Sequence, residues 1–440
     1  MQKAKIALFG SGRSALFLID YLANSPIVEL TVIDLSVENL KACAAQYPQL
    51  NTKVSNVKDS AERKKLIQAH GLVISLLPPA LHEALAEEAI DLGKHFLSAS
   101  YVSPKMEEIG QKAKAKGLVL LMECGLDPGI DHLSAMQVID CLKAKGAKLT
   151  TFRSYTGGLV APESDDNPWH YKLSWNPMNV VKAGQGVAGY LKNGQEKFLP
   201  YQRLFKETDF FKLDIGDFEG YYNRDAKKYK SIYGLEGVQT LIRGTLRRPG
   251  FCAAWDALVQ LGLTDDSYQV DLAKGTTYAD FTRQFLNSSG DDAAAVEAAL
   301  GKELFQQSWA KIAFLGLFDH TPIGLEKASP AEVLNQILLE KWQMKPNDKD
   351  WVVMLHEFIY EYQGKFYELR SLMNLKGDHK NSTAMAKTVG WPLAIFTELL
   401  VKKEITAEGL VIPTQKSIYQ PILEKLKTLG VAFVESEKSL

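Results

Sequence analysis

Cysteine is scarce in this chain. The 440 residues hold four, at positions 43, 124, 141 and 252, scattered too widely for a C-x-x-C pair and matched by no histidine at zinc spacing. The expectation is four buried, reduced thiols, with no disulfide framework and no metal site. An excess of either charge is also missing: 51 Lys and Arg face 52 Asp and Glu, a formal net charge of −1. That excludes the broad basic footprint of a nucleic-acid or membrane-surface protein, so a charged ligand has to be recognised by a few local residues. No apolar stretch approaches membrane-spanning length, and the apolar run in MQKAKIALFGSG is too short for a signal segment. Neither nucleic acid nor membrane is an expected partner, and the expected location is cytoplasmic. With 46% hydrophobic and 10% aromatic residues the chain is not disordered, and its length suits two or three domains.

The first third alternates short apolar runs with helical spacing. Strands are expected at Ile6–Phe9, Val28–Ile33, Lys53–Val57, Leu72–Leu77, His95–Ala99 and Leu118–Met122. Helices are expected at Ala15–Leu22, Glu38–Ala45, Leu81–Leu92 and Met106–Lys116. Apolar strands alternating with helices imply a doubly wound parallel sheet covered on both faces, an α/β fold. The character changes at Gly125. Residues 151–250 are rich in Gly, Pro, Asn, Tyr and Trp, and SYTGGLVAPESDDNPWHY carries too many breakers for regular structure. Phe251 to about Leu339 reads as mainly helical. Asp350–Leu355 and Phe366–Leu369 read as adjacent strands, and the tail from Ser382 reads helix, strand, helix, strand.

GSGRSA, residues 10–15, fits G-x-G-x-x-G/A between a strand and a helix. Gly10 permits the tight turn, Gly12 lets backbone approach a pyrophosphate, and Ala15 is small enough for close helix–strand packing. Asp34 ends the second strand, where a carboxylate suits the ribose 2′-hydroxyl of NAD and repels the 2′-phosphate of NADP. Ser100 and Tyr101 follow a strand's C-terminal end, where ligands of open α/β sheets sit. Asp127, in CGLDPG, is either a group facing that crevice or a cap for the next helix. Arg224, Arg243 and Arg247 offer planar forks for carboxylates, or serve as structural ion-pair partners. His82, His132 and His356 stand alone and read as supporting residues.

These segments resemble the saccharopine dehydrogenase family, of the L-glutamate-forming type, nearly end to end. The likeness runs from LFGSGRSA through LVISLLPPALH, ASYVSPKM and GLDPGIDH, then SYTGGLVAPESDDNPWHYKLSW, NRDAKKY, LIRGTLRRPGF, AMAKTVGWP and GLVIP. The resemblance implies a Rossmann-type nucleotide domain (1–125 with 382–440), a second α/β substrate domain (126–250 with 346–381) and a mainly helical insertion (251–345). It further implies that Ser11, Gly12, Arg13 and Ser14 line the pyrophosphate and that Asn56 and Val57 meet the adenine. Leu77, Ala99, Leu126 and Pro128 would approach the nicotinamide. Ser100, Tyr101, Asp127, Arg224, Thr245, Leu246 and Arg247 would bind saccharopine. Thr156 stands where the family often has Cys, Ala226 ends a segment that usually ends in Ser, and the Arg often found near Asp34 is absent.

Saccharopine, the substrate so implied, carries three carboxylates, which makes Arg224, Arg243 and Arg247 candidates for their partners. Its oxidation removes a hydride from carbon and a proton from a secondary amine, followed by hydrolysis to L-glutamate and 2-aminoadipate 6-semialdehyde. Asp127 and Tyr101 are the candidates for proton handling. The expected cofactor is NAD, with NADP the alternative, and a homodimer is an open expectation. The competing readings are a dehydrogenase for a related N-linked amino acid or carboxylated polyamine, and an inactive NAD-binding regulator.

Overall fold

A computed structural model of the chain describes residues 2–175, 177–183, 185–287 and 290–440. It divides into two compact units, Met1–Gly146 with Asn381–Val434, and Ala147–Lys380 with Glu435–Leu440.

The first unit is built on seven parallel strands. In sheet order they are Gly409–Val411, Val119–Leu121, His95–Ser98, Leu72–Ser75, Ala4–Phe9, Val28–Asp34 and Asn51–Val54. Read in chain order this is 3-2-1-4-5-6 with one strand added, the Rossmann arrangement. Ile6, Ala7, Leu8 and Phe9 are all buried, as a central strand covered on both faces requires. The helix Ser60–Gln68 was not anticipated, because only Arg63 and Ile67 of its nine residues are buried and the apolar stripe is thin. Asp59 caps it by accepting from the amides of Ala61 and Glu62.

The second unit is a nine-stranded mixed sheet. Its main path is Thr208–Leu213, Gly216–Tyr222, Thr240–Arg247, Lys148–Val160, Asp350–Tyr362, Lys365–Lys376 and Phe433–Ser439, and the hairpin Ala188–Lys192/Gln195–Leu199 joins at Thr240–Arg247. Helices between Phe251 and Lys341 cover one face around Trp169, Trp255, Trp342 and Trp351, all nearly inaccessible. Within the region expected to be helical, Gly301, with φ +78°, ends the helix Asp292–Leu300 and starts the helix Lys302–Leu315.

Several expectations change. The first half of SYTGGLVAPESDDNPWHY is a central strand, Lys148–Val160, flanked on both sides. Gly157 serves packing there, since an added Cβ would stand 2.9 Å from both Leu246 Cβ and Leu246 O. The last strand joins the second sheet rather than the nucleotide-binding one, and Ile130–Ala144 belongs to the first unit. Cys141 is exposed, while the other three thiols are buried. Ala384–Val401 does reach membrane-spanning length and hydropathy, but 72% of it is buried in the fold, which makes it a core helix.

Candidate active site

In an open parallel sheet, ligands sit outside the strands' C-terminal ends where the strand order reverses. Here that point lies between Ala4–Phe9 and Leu72–Ser75. Gly10 leaves the first strand with φ +104°, and an added Cβ would lie 2.9 Å from the Leu76 carbonyl oxygen, so the turn requires glycine. At Gly12 an added Cβ meets nothing within 4 Å. Arg13–Ala15 form a 3-10 turn leading into the helix Leu16–Ala23. Open space beside a glycine at the amide-rich start of a helix fits a dinucleotide pyrophosphate. Ser11 is buried, Ser14 half-buried and Arg13 exposed.

Asp34 closes this loop from the neighbouring strand. Its Oδ2 accepts from the Ser11 amide at 2.6 Å and the Ser11 hydroxyl at 2.7 Å, and its Oδ1 accepts from the Ser36 amide at 2.8 Å. Burial would raise its pKa, but those donors outweigh burial and hold the carboxyl below its ordinary value. It is therefore an anion at neutral pH. Past the third strand, Asn56 is exposed, its Oδ1 accepting from the Lys58 amide, and Val57 is buried.

The strand ends on the other side of the switch point carry the rest. Leu77 and Ala99 are half-buried, and Leu126 and Pro128 are buried. Gly125 lets two loops meet, because an added Cβ would be 2.9 Å from Ala99 Cβ. Tyr101 and Asp127 are brought together: the tyrosine hydroxyl donates to Asp127 Oδ1 at 2.9 Å. Asp127 does not cap the following helix. The Ile130 and Asp131 amides go to the carbonyls of Gly125 and Leu126, and the Gly129 amide goes to Asp131 Oδ1 at 2.6 Å. Ser100 is held by His82, one of the histidines read from the sequence as supporting residues. His82 bridges the Ser75 hydroxyl, 2.8 Å from Nδ1, and the Ser100 hydroxyl, 2.8 Å from Nε2. Burial lowers the His82 pKa to about 4, so the ring is neutral and donates from one nitrogen while accepting at the other. Glu123, which sequence reading missed, is fully buried beside His132. Its only signal was a polar residue inside an otherwise apolar strand-to-loop segment.

The second unit carries the arginines. Arg224 is exposed with φ +55°. Arg243 is buried, with its guanidinium carbon 4.3 Å from the centroid of the Tyr229 ring. Thr245 accepts from the Asn223 side-chain amide at 3.2 Å, and Leu246 is fully buried. Arg247 is buried among rings, its guanidinium carbon 5.0, 5.1 and 5.7 Å from the centroids of Tyr171, Phe251 and Tyr221. It donates to the Leu246 carbonyl at 2.9 Å, has Tyr221 Oη at 3.5 Å, and its Nε has no partner. The Thr156 hydroxyl is likewise buried without a hydrogen bond.

A Rossmann sheet with a glycine turn and a charged Asp34, joined in one chain to a mixed sheet bearing buried arginines, defines a two-unit dinucleotide-binding α/β protein. Residues 6–121 match the family model described as the saccharopine dehydrogenase NADP binding domain, and residues 125–431 match the saccharopine dehydrogenase C-terminal domain. The chain belongs to the saccharopine dehydrogenase family. It is 32% identical over 440 residues to the saccharopine dehydrogenase [NADP(+), L-glutamate-forming] of Pyricularia oryzae, covering 97% of each chain. It is also 32% identical over 456 residues to the mitochondrial alpha-aminoadipic semialdehyde synthase of Rattus norvegicus, with 98% of this chain against 47% of that protein. It thus spans about half the length of the first curated relatives it matches. Among solved structures, the apo saccharopine dehydrogenase (L-Glu forming) of Saccharomyces cerevisiae aligns with a TM-score of 0.89 and 30% identity, over 99% of this chain and 100% of that one.

Proposed function

We propose that the chain is a pyridine-nucleotide-dependent oxidoreductase acting on the CH–NH group of saccharopine, releasing L-glutamate and 2-aminoadipate 6-semialdehyde, or running the reverse. The observation that carries this reading is the Tyr101–Asp127 hydrogen bond at adjacent strand ends of the nucleotide-binding sheet. It supports the reading in which a carboxylate and a phenol together meet the substrate amine that loses its proton. The bound dinucleotide supplies the hydride acceptor. Asp127 holds the amine's proton and takes it up as the carbon–nitrogen double bond forms. Tyr101 orients that carboxylate and donates to the nitrogen during hydrolysis. Ser100, kept in place by neutral His82, is a polar contact for the same substrate. Arg224, Arg243 and Arg247, with Thr245, are the carboxylate partners on the second unit, which we read as the substrate-binding one.

The cofactor reading is NAD in preference to NADP, although the relatives named above include NADP(+) enzymes. Its support is Asp34, an anion already fixed beside the loop, which a 2′-phosphate would have to face. Unpaired cysteines suit a reducing compartment, and the cytoplasm is the location in this reading. The test is absorbance at 340 nm (the usual NADH band) with saccharopine and either NAD or NADP. Turnover with kcat/KM higher for NAD is expected. A higher value for NADP overturns the cofactor reading, and no turnover with either overturns the activity.

A further inference from the structure

Tyr101 and Asp127 sit on separate loops, and their contact requires those loops to hold one register. One residue grips both. Glu123 leaves the strand Val119–Leu121, and its backbone amide donates to the Ser100 carbonyl at 2.9 Å. Its Oε1 accepts from the Val102 amide at 3.0 Å. Glu123 therefore holds the residue on each side of Tyr101. Its Oε2 lies 2.9 Å from His132 Nε2, on the helix that follows the Asp127 loop. His132 Nδ1 lies 3.6 Å from Asp131 Oδ2, and Asp131 Oδ1 accepts from the Gly129 amide at 2.6 Å.

The arrangement is costly. The side chains of Glu123 and His132 are 0% exposed, and a buried carboxylate needs its partners to offset desolvation. Glu123 also adopts φ +58°, a left-handed conformation that an ordinary side chain adopts at a cost of order 1 kcal/mol or more. Joining two loops for stability alone would not need a strained, buried acid. The cost is accounted for if what is held is the geometry of the groups the loops carry.

We propose that Glu123, together with His132, is a positioning residue for the proton-handling pair Tyr101–Asp127. This rests on the reading of Asp127 given above. With its side chain fully buried, Glu123 acts through its neighbours: it fixes Tyr101 through both adjoining residues and fixes the start of the helix behind Asp127.

A double-mutant cycle tests it. Glu123→Gln keeps the shape and the acceptor for the Val102 amide but removes the charge facing His132. The expected result is a fall in kcat of at least about tenfold, in line with lost acid–base positioning. KM for saccharopine and the dissociation constant for the dinucleotide should stay within about twofold. In the Asp127→Asn background, Glu123→Gln should lower kcat by less than about twofold, because the group it positions is already inactive. An equal fold-loss in both backgrounds, or an unchanged kcat in the single variant, overturns the proposal and leaves the role of Asp127 standing. Wild-type kcat in Asp127→Asn alone removes the reading of Asp127 and this proposal with it. Should Glu123→Gln fail to fold, His132→Gln, which still offers a donor to Glu123, takes its place in the same cycle with the same expected values.

Discussion

Two arginines on the second sheet, Arg153 half-buried and Arg247 buried, are partnered in different ways. Arg153 sits among acids: Nη2 is 2.8 Å from Asp209, and Nη1 is 3.1 Å from Glu357. The chain of charges continues from Glu357 to Arg370 at 2.9 Å, from Arg370 to Glu368 at 2.8 Å and from Glu368 to Lys438 at 3.3 Å. Arg247 sits among rings, and no described carboxylate lies within ion-pair distance of it. Of the two, only Arg153 has carboxylates within ion-pair distance. An arginine whose fork is already filled is structural. Both guanidinium groups lie over aromatic rings and both have an unpartnered Nε, so the difference is the carboxylates: with none in reach, Arg247 keeps its electrostatic capacity for an anion. The distinction separates arginines that sequence position alone does not.

The comparison breaks most visibly at Glu357, whose side chain is 7% exposed. Glu357→Ala strands Arg153 and Arg370 together. Removing one partner of a buried ion network costs about 3 kcal/mol, the lower end of the usual range because those arginines keep a quarter to a third of their exposure. The expected result is a fall in Tm of several degrees, with kcat and KM for saccharopine unchanged. An unaltered Tm would place Arg153 in the same class as Arg247.

Arg247→Met sharpens the other side. Methionine fills the ring-lined space without a charge to desolvate, so Tm should hold or rise. If Arg247 answers a substrate carboxylate, KM for saccharopine should rise about 30-fold, the equivalent of about 2 kcal/mol for a charge-assisted contact. A drop in Tm with unchanged KM would make Arg247 a packing residue. Arg224→Ala is the exposed control: it should raise KM while leaving Tm alone.

The first unit was legible in the sequence because its signals are local. Apolar runs of four to six residues, a glycine turn and an acid at a strand end each report their own surroundings, and the alternation implies a doubly wound parallel sheet. Ser100, Tyr101 and Asp127 were placed at strand ends by the same logic. Long-range pairing was not legible. The strand at 154–160 was hidden by glycines, of which Gly157 admits Leu246 from a neighbouring strand distant in sequence, and Phe433–Ser439 chose its sheet by pairing that no local pattern encodes. Glu123 was missed, and His82 was read as a supporting residue without its partners, for a related reason. A buried polar residue shows its role only through partners, and those partners are distant in sequence.

His82 adds a third way of burying a titratable group: it is neutralised rather than paired or ringed. Its folded pKa of about 4 lies below the ordinary 6.5, and the cause is burial. The unfolded chain therefore binds a proton through a window where the folded chain does not. Where the unfolded state holds more protons, stability rises with pH, so this contribution is fully present above about 6.5 and is lost as pH falls toward 4. Between pH 7 and pH 5.5 the loss should be about 1 kcal/mol, the smallest of these effects. His82→Gln retains a donor and an acceptor for the two serines but cannot titrate. Chemical denaturation at both pH values, for wild type and variant, isolates the histidine from other groups such as His95, which burial also shifts downward. The wild type should lose about 1 kcal/mol more than the variant across that interval. Equal losses would mean that His82 is charged in the folded state, and that the bridge from Ser75 to Ser100 is made by an imidazolium donating from both nitrogens.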